Sequence, residues 1–235
     1  MSDLSRPRVT YGASSLTITA GTIGEAWIVV AKRILDEGEP AQYDGLAIRE
    51  LIMTTLHVTD PHSDDVLIGR LADPERLEWM HQNFNDPARV AALGDADSYA
   101  TRLYDYEHRG LNQIEWVTER LRQDPSTRSA TITTLQPLSD TSYIPCVSVL
   151  DFFLHQERLE LVVFAHSIDF GAKGFANLVE LAHLQRRVAE GLASRTGSLT
   201  MIVKSAHVYE SAVDSMRGVL SSNAEIPCQF VVTVI

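Results

Sequence analysis

Only two cysteines, Cys146 and Cys228, occur in 235 residues. So few cannot build a disulfide framework, and reduced thiols in a cytoplasm are the simpler expectation. No apolar run approaches the roughly 20 residues that a membrane-spanning helix needs. Met1 to Arg8 lacks the apolar stretch of a secretory signal, so no export route is expected. Positive charge is scarce as well: 20 Lys and Arg against 31 Asp and Glu leave a formal net charge of −11. That balance argues against nucleic acid as a partner but leaves room for a local basic pocket holding one phosphate. Repeats, low-complexity runs and dividing linkers are missing too. With 45% apolar residues, the chain 1–235 can bury one sizeable core, and a single domain with a loosely held segment 1–17 is expected.

Helical signals come first. Thr22 and Glu25 have capping-box spacing, Ala26, Trp27, Val30 and Ile34 follow on one face, and Gly38 stops the pattern, which predicts a helix over 22–36. Leu77, Met80 and Phe84 predict a second over 74–84, and Leu111, Ile114, Val117 and Leu121 a third. The longest runs from Phe175 through Leu192. Strands are expected at 48–58, 128–135, 147–154, 159–165, 198–208 and 230–235, with His155 to Arg158 as a hairpin turn. The fold class is therefore α+β, a mixed sheet with helices.

The stretch from Ile144 to Asp214 gathers a thiol, an aspartate, an amide and a His/Tyr pair at strand ends and at a helix start. Such positions carry chemistry when a sheet supplies the rigid floor. A cysteine between apolar strands is often only a buried small hydrophobe, and an asparagine near a helix start often only a cap. What raises both above those readings is a resemblance. Pro145-Cys146, Ser167-x-Asp169, Asn177 and His207-x-Tyr209, preceded by Asp124-Pro125-Ser126-Thr127-Arg128, Ser98-Tyr99 and Leu77-Glu78-Trp79, resemble the thymidylate synthase / deoxycytidylate hydroxymethylase family. The correspondence is good from about Tyr99 to Asp214 and weak before Ala47.

The resemblance implies a thymidylate-synthase-like sheet whose open face serves dimerisation. It also implies a soluble enzyme using 5,10-methylenetetrahydrofolate as cosubstrate, with no metal. Cys146 would add to C6 of a pyrimidine nucleotide, making C5 nucleophilic enough to take the folate's one-carbon unit, with a nearby arginine favouring the thiolate. Arg128 would grip the phosphate across the dimer interface. Ser129 replaces the family's usual second arginine, so Arg49 is a substitute to consider. Ser167 and His166 would assist at the phosphate, the latter where arginine is common. Asn177 would read the base edge, an amide there suiting uracil where cytidylate-using relatives carry aspartate. Ala176, small where deoxynucleotide-specific relatives are bulky, would admit a ribose 2′-hydroxyl. His207 and Tyr209, two apart on one strand face, would bond the sugar. Asp169, Trp79 and Ile235 would hold the folate, and Tyr99 would assist loss of the C5 proton. The proton-handling glutamate is displaced: Arg76 occupies its usual position, leaving Glu78 or Glu75. Asp151 replaces a usual glutamine and is expected to alter the network around the ring.

These departures favour a specialised hydroxymethylase acting on CMP or dCMP, by analogy one serving nucleoside-antibiotic biosynthesis. A divergent thymidylate synthase methylating dUMP and a catalytically inactive nucleotide-binding relative stay open. A Cys/His hydrolase built from Cys146, His166 and Asp169 lacks a nucleophile turn around the thiol.

Overall fold

The computed structural model describes residues 16–87, 93–94, 96–140, 143–222 and 230–234. Its strands are β1 (Leu16–Ala20), β2 (Glu39–Tyr43), β3 (Leu46–Val58), β4 (Thr131–Thr133), β5 (Val147–His155), β6 (Arg158–Asp169), β7 (Arg195–Tyr209) and β8 (Phe230–Val234). They form one eight-stranded sheet in the order β4-β5-β6-β7-β3-β1-β8, with β2 paired to β3. β1 lies parallel to β3 and β6 parallel to β7, and the other five pairings are antiparallel. The helices are α1 (Ile23–Glu37), α2 (Val66–Leu71), α3 (Pro74–Asn85), α4 (Tyr99–Tyr104), α5 (Gln113–Gln123), α6 (Gly174–Gly191) and α7 (Val213–Ser221). The mixed sheet covered by helices is the expected α+β class.

Period-two patterning decides which face the helices cover. On β6, Leu159, Leu161, Val163 and Ala165 are buried, while Val162 is half-buried and Phe164 is exposed. Helix α6 packs on β6 and β7, and α1 on β1, β3 and β7. Helix α1 forms because its capping box closes in both directions: Thr22 Oγ1 accepts from Glu25 N at 3.3 Å and Glu25 Oε2 accepts from Thr22 N at 3.2 Å. Its Trp27 is fully buried but not orphaned, donating Nε1–H to Phe170 O at 2.9 Å. Leaving that indole unpaired would cost roughly 1–3 kcal/mol.

The sheet's outer face keeps Val149, Phe153, Val162 and Ile202 half-buried, with Phe164 exposed. Several sequence expectations change. The strand foreseen over 128–135 shrinks to Thr131–Thr133. Side chains claim the carbonyls at and just past its end: Gln113 donates to Thr133 O at 2.7 Å and Arg102 to Thr134 O at 2.7 Å. Leu16 and Thr17, expected to be loose, pair with Thr54 and Thr55 in β1. The turn from β5 to β6 is made by Gln156 and Glu157 at φ 49° and 61°, the left-handed pair of a tight hairpin.

Candidate active site

Cys146 stands just before β5, and β6 and β7 bring their C-terminal ends beside it. Around that point lies a cleft of about 520 Å³. β6 supplies His166, Ser167 and Asp169, β7 supplies His207 and Tyr209, and Lys173 and Asn177 come from the approach to α6 and its first turn. Trp79, Met80 and Asn83 enter from α3, Tyr99 from α4, and Tyr43 and Asp44 from the β2–β3 turn. Gly174 is required where α6 begins, because a Cβ there would meet the Phe170 ring at 2.5 Å.

The backbone that carries the thiol is held from two sides. His166 N donates to Cys146 O at 3.0 Å, and Val147 N donates to Tyr99 Oη at 2.9 Å. Burial pushes the Cys146 thiol up, and the Lys173 ammonium opposes it. The cation expected beside the sulfur is thus a lysine rather than an arginine. Lys173 also sits 4.7 Å from the Trp79 ring centre, which fixes its reach. Lys173→Met is expected to move the thiol titration to higher pH and slow iodoacetamide alkylation roughly tenfold at pH 7. A pH–rate profile of alkylation that does not move would remove Lys173 from this role.

Asp169 and His207 are cross-strand neighbours. Burial pushes the Asp169 carboxyl up against the pull of His207, and pushes His207 down against the pull of Asp169. Burial thus opposes the charged form of each, while each favours the charged form of the other. His207 Nδ1 meets Ser167 Oγ at 3.2 Å, and its ring lies between those of Tyr43 and Tyr209. Burial and the thiol lift the Tyr99 hydroxyl well above the usual phenol range, and burial first takes Tyr143 and Tyr209 to about 12. These phenols stay protonated at neutral pH. Asn177 is buried, its Nδ2 donating to Lys173 O at 3.0 Å while Oδ1 has no partner. An unmet buried acceptor costs about 1–3 kcal/mol until a donor arrives.

Other expected residues lie elsewhere. Glu78, taken as the proton-handling glutamate, is exposed, accepts from Gln82 Nε2 at 2.8 Å and does not line the cleft. It precedes Trp79 by one residue, about 100° round the helix. Glu75 and Arg76 border an adjoining hollow that shares Trp79 and Lys173. Ala176 is packed in the core and is not on the cleft wall, so the gap expected there for a 2′-hydroxyl is not formed by it. Arg128 is exposed and borders a separate hollow with Asp151 and Phe153, outside its own chain's cleft. Asp151 accepts from Thr131 Oγ1 at 2.5 Å and so belongs to that side, not to a network around the ring. Arg49 pairs with Glu210 at 2.9 Å, away from the cleft. Ile235 lies outside the described residues.

Sequence reasoning missed Tyr43, Asp44, Asn83, Tyr143 and Lys173. The first two carried a readable signal. Asp44-Gly45 is a hairpin dipeptide, and it takes φ 49° and 76° between β2 and β3. Asn83 gave none: its Oδ1 receives Tyr99 N at 3.1 Å across 16 residues.

Fold and cleft together define a sheet protein with a half-buried thiol facing a cleft of small-ligand size. The sequence profile described as Thymidylate synthase matches residues 48–233, and the chain belongs to the thymidylate synthase family. It is 28% identical over 211 residues to a Methanosarcina barkeri protein described as "Putative thymidylate synthase", covering 86% of this chain and 94% of the relative. A protein of the same description from Methanothermobacter marburgensis is 28% identical over 211 residues, covering 82% and 92%. The bifunctional dihydrofolate reductase-thymidylate synthase of Leishmania amazonensis is 28% identical over 120 residues, 49% of this chain and 23% of that one. The family binds a nucleotide substrate and uses methylenetetrahydrofolate as cosubstrate. No described helix is long and apolar enough to cross a membrane.

Proposed function

We propose that this protein transfers the one-carbon unit of 5,10-methylenetetrahydrofolate to C5 of a pyrimidine nucleoside 5′-monophosphate, and that the product is the 5-hydroxymethyl derivative of CMP or dCMP. The observation that carries the reading is one cleft lined by both Cys146 and Asn177, the latter's side-chain Oδ1 being buried without a partner. The sulfur adds to C6, and electron density moved to C5 attacks the folate's methylene group. After the C5 proton and the folate leave, an exocyclic methylene remains. Hydride from the reduced folate would make a methyl group, whereas water makes a hydroxymethyl group. Water is favoured by a rim rich in groups that can hold it: Asp44, Asp169, His166 and three tyrosine hydroxyls, Tyr43, Tyr143 and Tyr209.

For the base, the acceptor left free by Asn177 receives a donor such as cytosine's 4-amino group. An aspartate, as in cytidylate-using relatives, would present the same acceptor. Asp169 and His207 are positioned to manage the proton load that no α3 glutamate reaches. Two copies would pack through the helix-free face. Arg128, which borders that face with Asp151 and Phe153, would then reach the phosphate bound by a second copy. A thymidylate synthase acting on dUMP is the competing reading, supported by the names of the methanogen relatives.

The experiment incubates the protein with methylenetetrahydrofolate and 5-tritiated CMP, dCMP, UMP or dUMP, and weighs the products. Tritium release from a cytidine nucleotide with a gain of about 30 mass units is expected, since CH2O is added. A gain of about 14 units on dUMP alone would establish the synthase instead. Release from none of the four would point to an inactive relative.

A further inference from the structure

Helix α3 and helix α6 meet at a second cluster, outside the cleft. His81 comes from α3, Glu180 and His183 from α6, and their three ligand atoms lie within 4.8 Å of one another. Both histidines aim Nδ1 at one oxygen: His81 approaches Glu180 Oε1 at 3.1 Å and His183 approaches it at 3.2 Å. Two ligands of a tetrahedral zinc ion, each bonded at about 2.0 Å, stand about 3.3 Å apart. The two His–Glu separations already have that spacing. The two histidine nitrogens lie within 4.8 Å of each other, and closing that gap requires a shift of His81, whose side chain is 52% exposed and whose Nδ1 also faces Asn85 Nδ2 at 3.2 Å.

The carboxylate is also oriented as a ligand. Glu180 is buried, and its other oxygen, Oε2, accepts from Asn85 Nδ2 at 2.9 Å. Asn85 is in turn held through its Oδ1 by Arg187 Nη2 at 3.0 Å. Such an outer support fixes a carboxylate with one oxygen forward, as in metal sites whose ligands are themselves hydrogen-bonded. Glu-x-x-His on one helix, completed from a facing helix, is a spacing that helix pairs use for metals. The opening at His81 leaves the fourth position to water.

We propose that His81, Glu180 and His183 form a binding site for a divalent transition metal of the zinc type. The ion would clip α3 to α6. Trp79 and Asn83 on one helix, and Asn177 on the other, would then be held at a fixed separation across the cleft. The site is structural, and its occupancy does not depend on which nucleotide the cleft takes.

Tag-free protein stripped with a chelator would be titrated with Zn2+, and separately with Co2+ followed by its visible spectrum. One equivalent per chain is expected, with a tetrahedral-type Co2+ band. Tm should rise by about 5–10 °C at metal 100-fold above Kd, with no rise for Mg2+. His81→Ala changes a half-exposed side chain and should keep the fold while losing the band and the Tm rise. Glu180→Gln should lose both as well. No stoichiometric binding, or unchanged binding in His81→Ala, would overturn the site. Neither readout uses turnover, so failure here is distinct from failure of the catalytic reading.

Discussion

Cys146→Ala is expected to abolish tritium release from C5, lowering kcat by about 10⁴-fold or more, while nucleotide binding stays within a few-fold. The reasoning is covalent. Without sulfur at C6 the ring carbon C5 has no enamine character, and no other thiol lines the described cleft. The residues expected to hold the nucleotide, Ser167, Asn177, His207 and Tyr209, are untouched by the change. Cys146 is only partly buried, so the lost sulfur leaves a small space open to the cleft, and little stability is at stake. Equilibrium binding of CMP or dUMP by calorimetry, set beside single-turnover tritium release, checks both halves. Release retained in the variant would remove the covalent mechanism, and lost binding would mean that the thiol positions the ligand instead.

How much of this was legible beforehand depended on the range of each signal. Local patterns translated well: Thr22 and Glu25 marked the start of α1, and the polar residues His155 to Arg158 between two apolar runs marked the hairpin of β5 and β6. The cleft residues at strand ends, from Cys146 to Tyr209, were found by spacing and resemblance together. What escaped was set by long-range geometry. Lys173 acts on Cys146 because Gly174 lets α6 begin tight against Phe170, a packing fact with no sequence period. Glu78 and Ala176 were misassigned for one reason, a single step along a helix. Each precedes a true cleft residue, Trp79 or Asn177, and about 100° of rotation sends it to solvent or into the core. Asp151 sits on a strand, where one residue selects the face, and its face is the one shared with Arg128.

Asn177 carries the second large effect. Its Nδ2 gives one hydrogen to Lys173 O and keeps a second, while Oδ1 has no partner. Cytosine offers its 4-amino group there, and uracil must offer N3–H while also presenting O4. Asn177→Asp keeps an acceptor but removes the amide donor that O4 would use. CMP or dCMP turnover is therefore expected to stay within about tenfold, and any turnover of UMP or dUMP to fall about 100-fold, the scale of one or two buried hydrogen bonds left unmade. Asn177→Ala removes both and should depress every nucleotide by a similar factor. Because each variant also loses the bond to Lys173 O, Tm is followed alongside kcat/KM, and the comparison uses the ratio between bases, which a general loosening of α6 leaves unchanged. A cytosine-to-uracil ratio that Asn177→Asp does not raise would take base reading away from this residue. The unmet acceptor would then be a structural cost of the turn that aims Lys173 at the thiol.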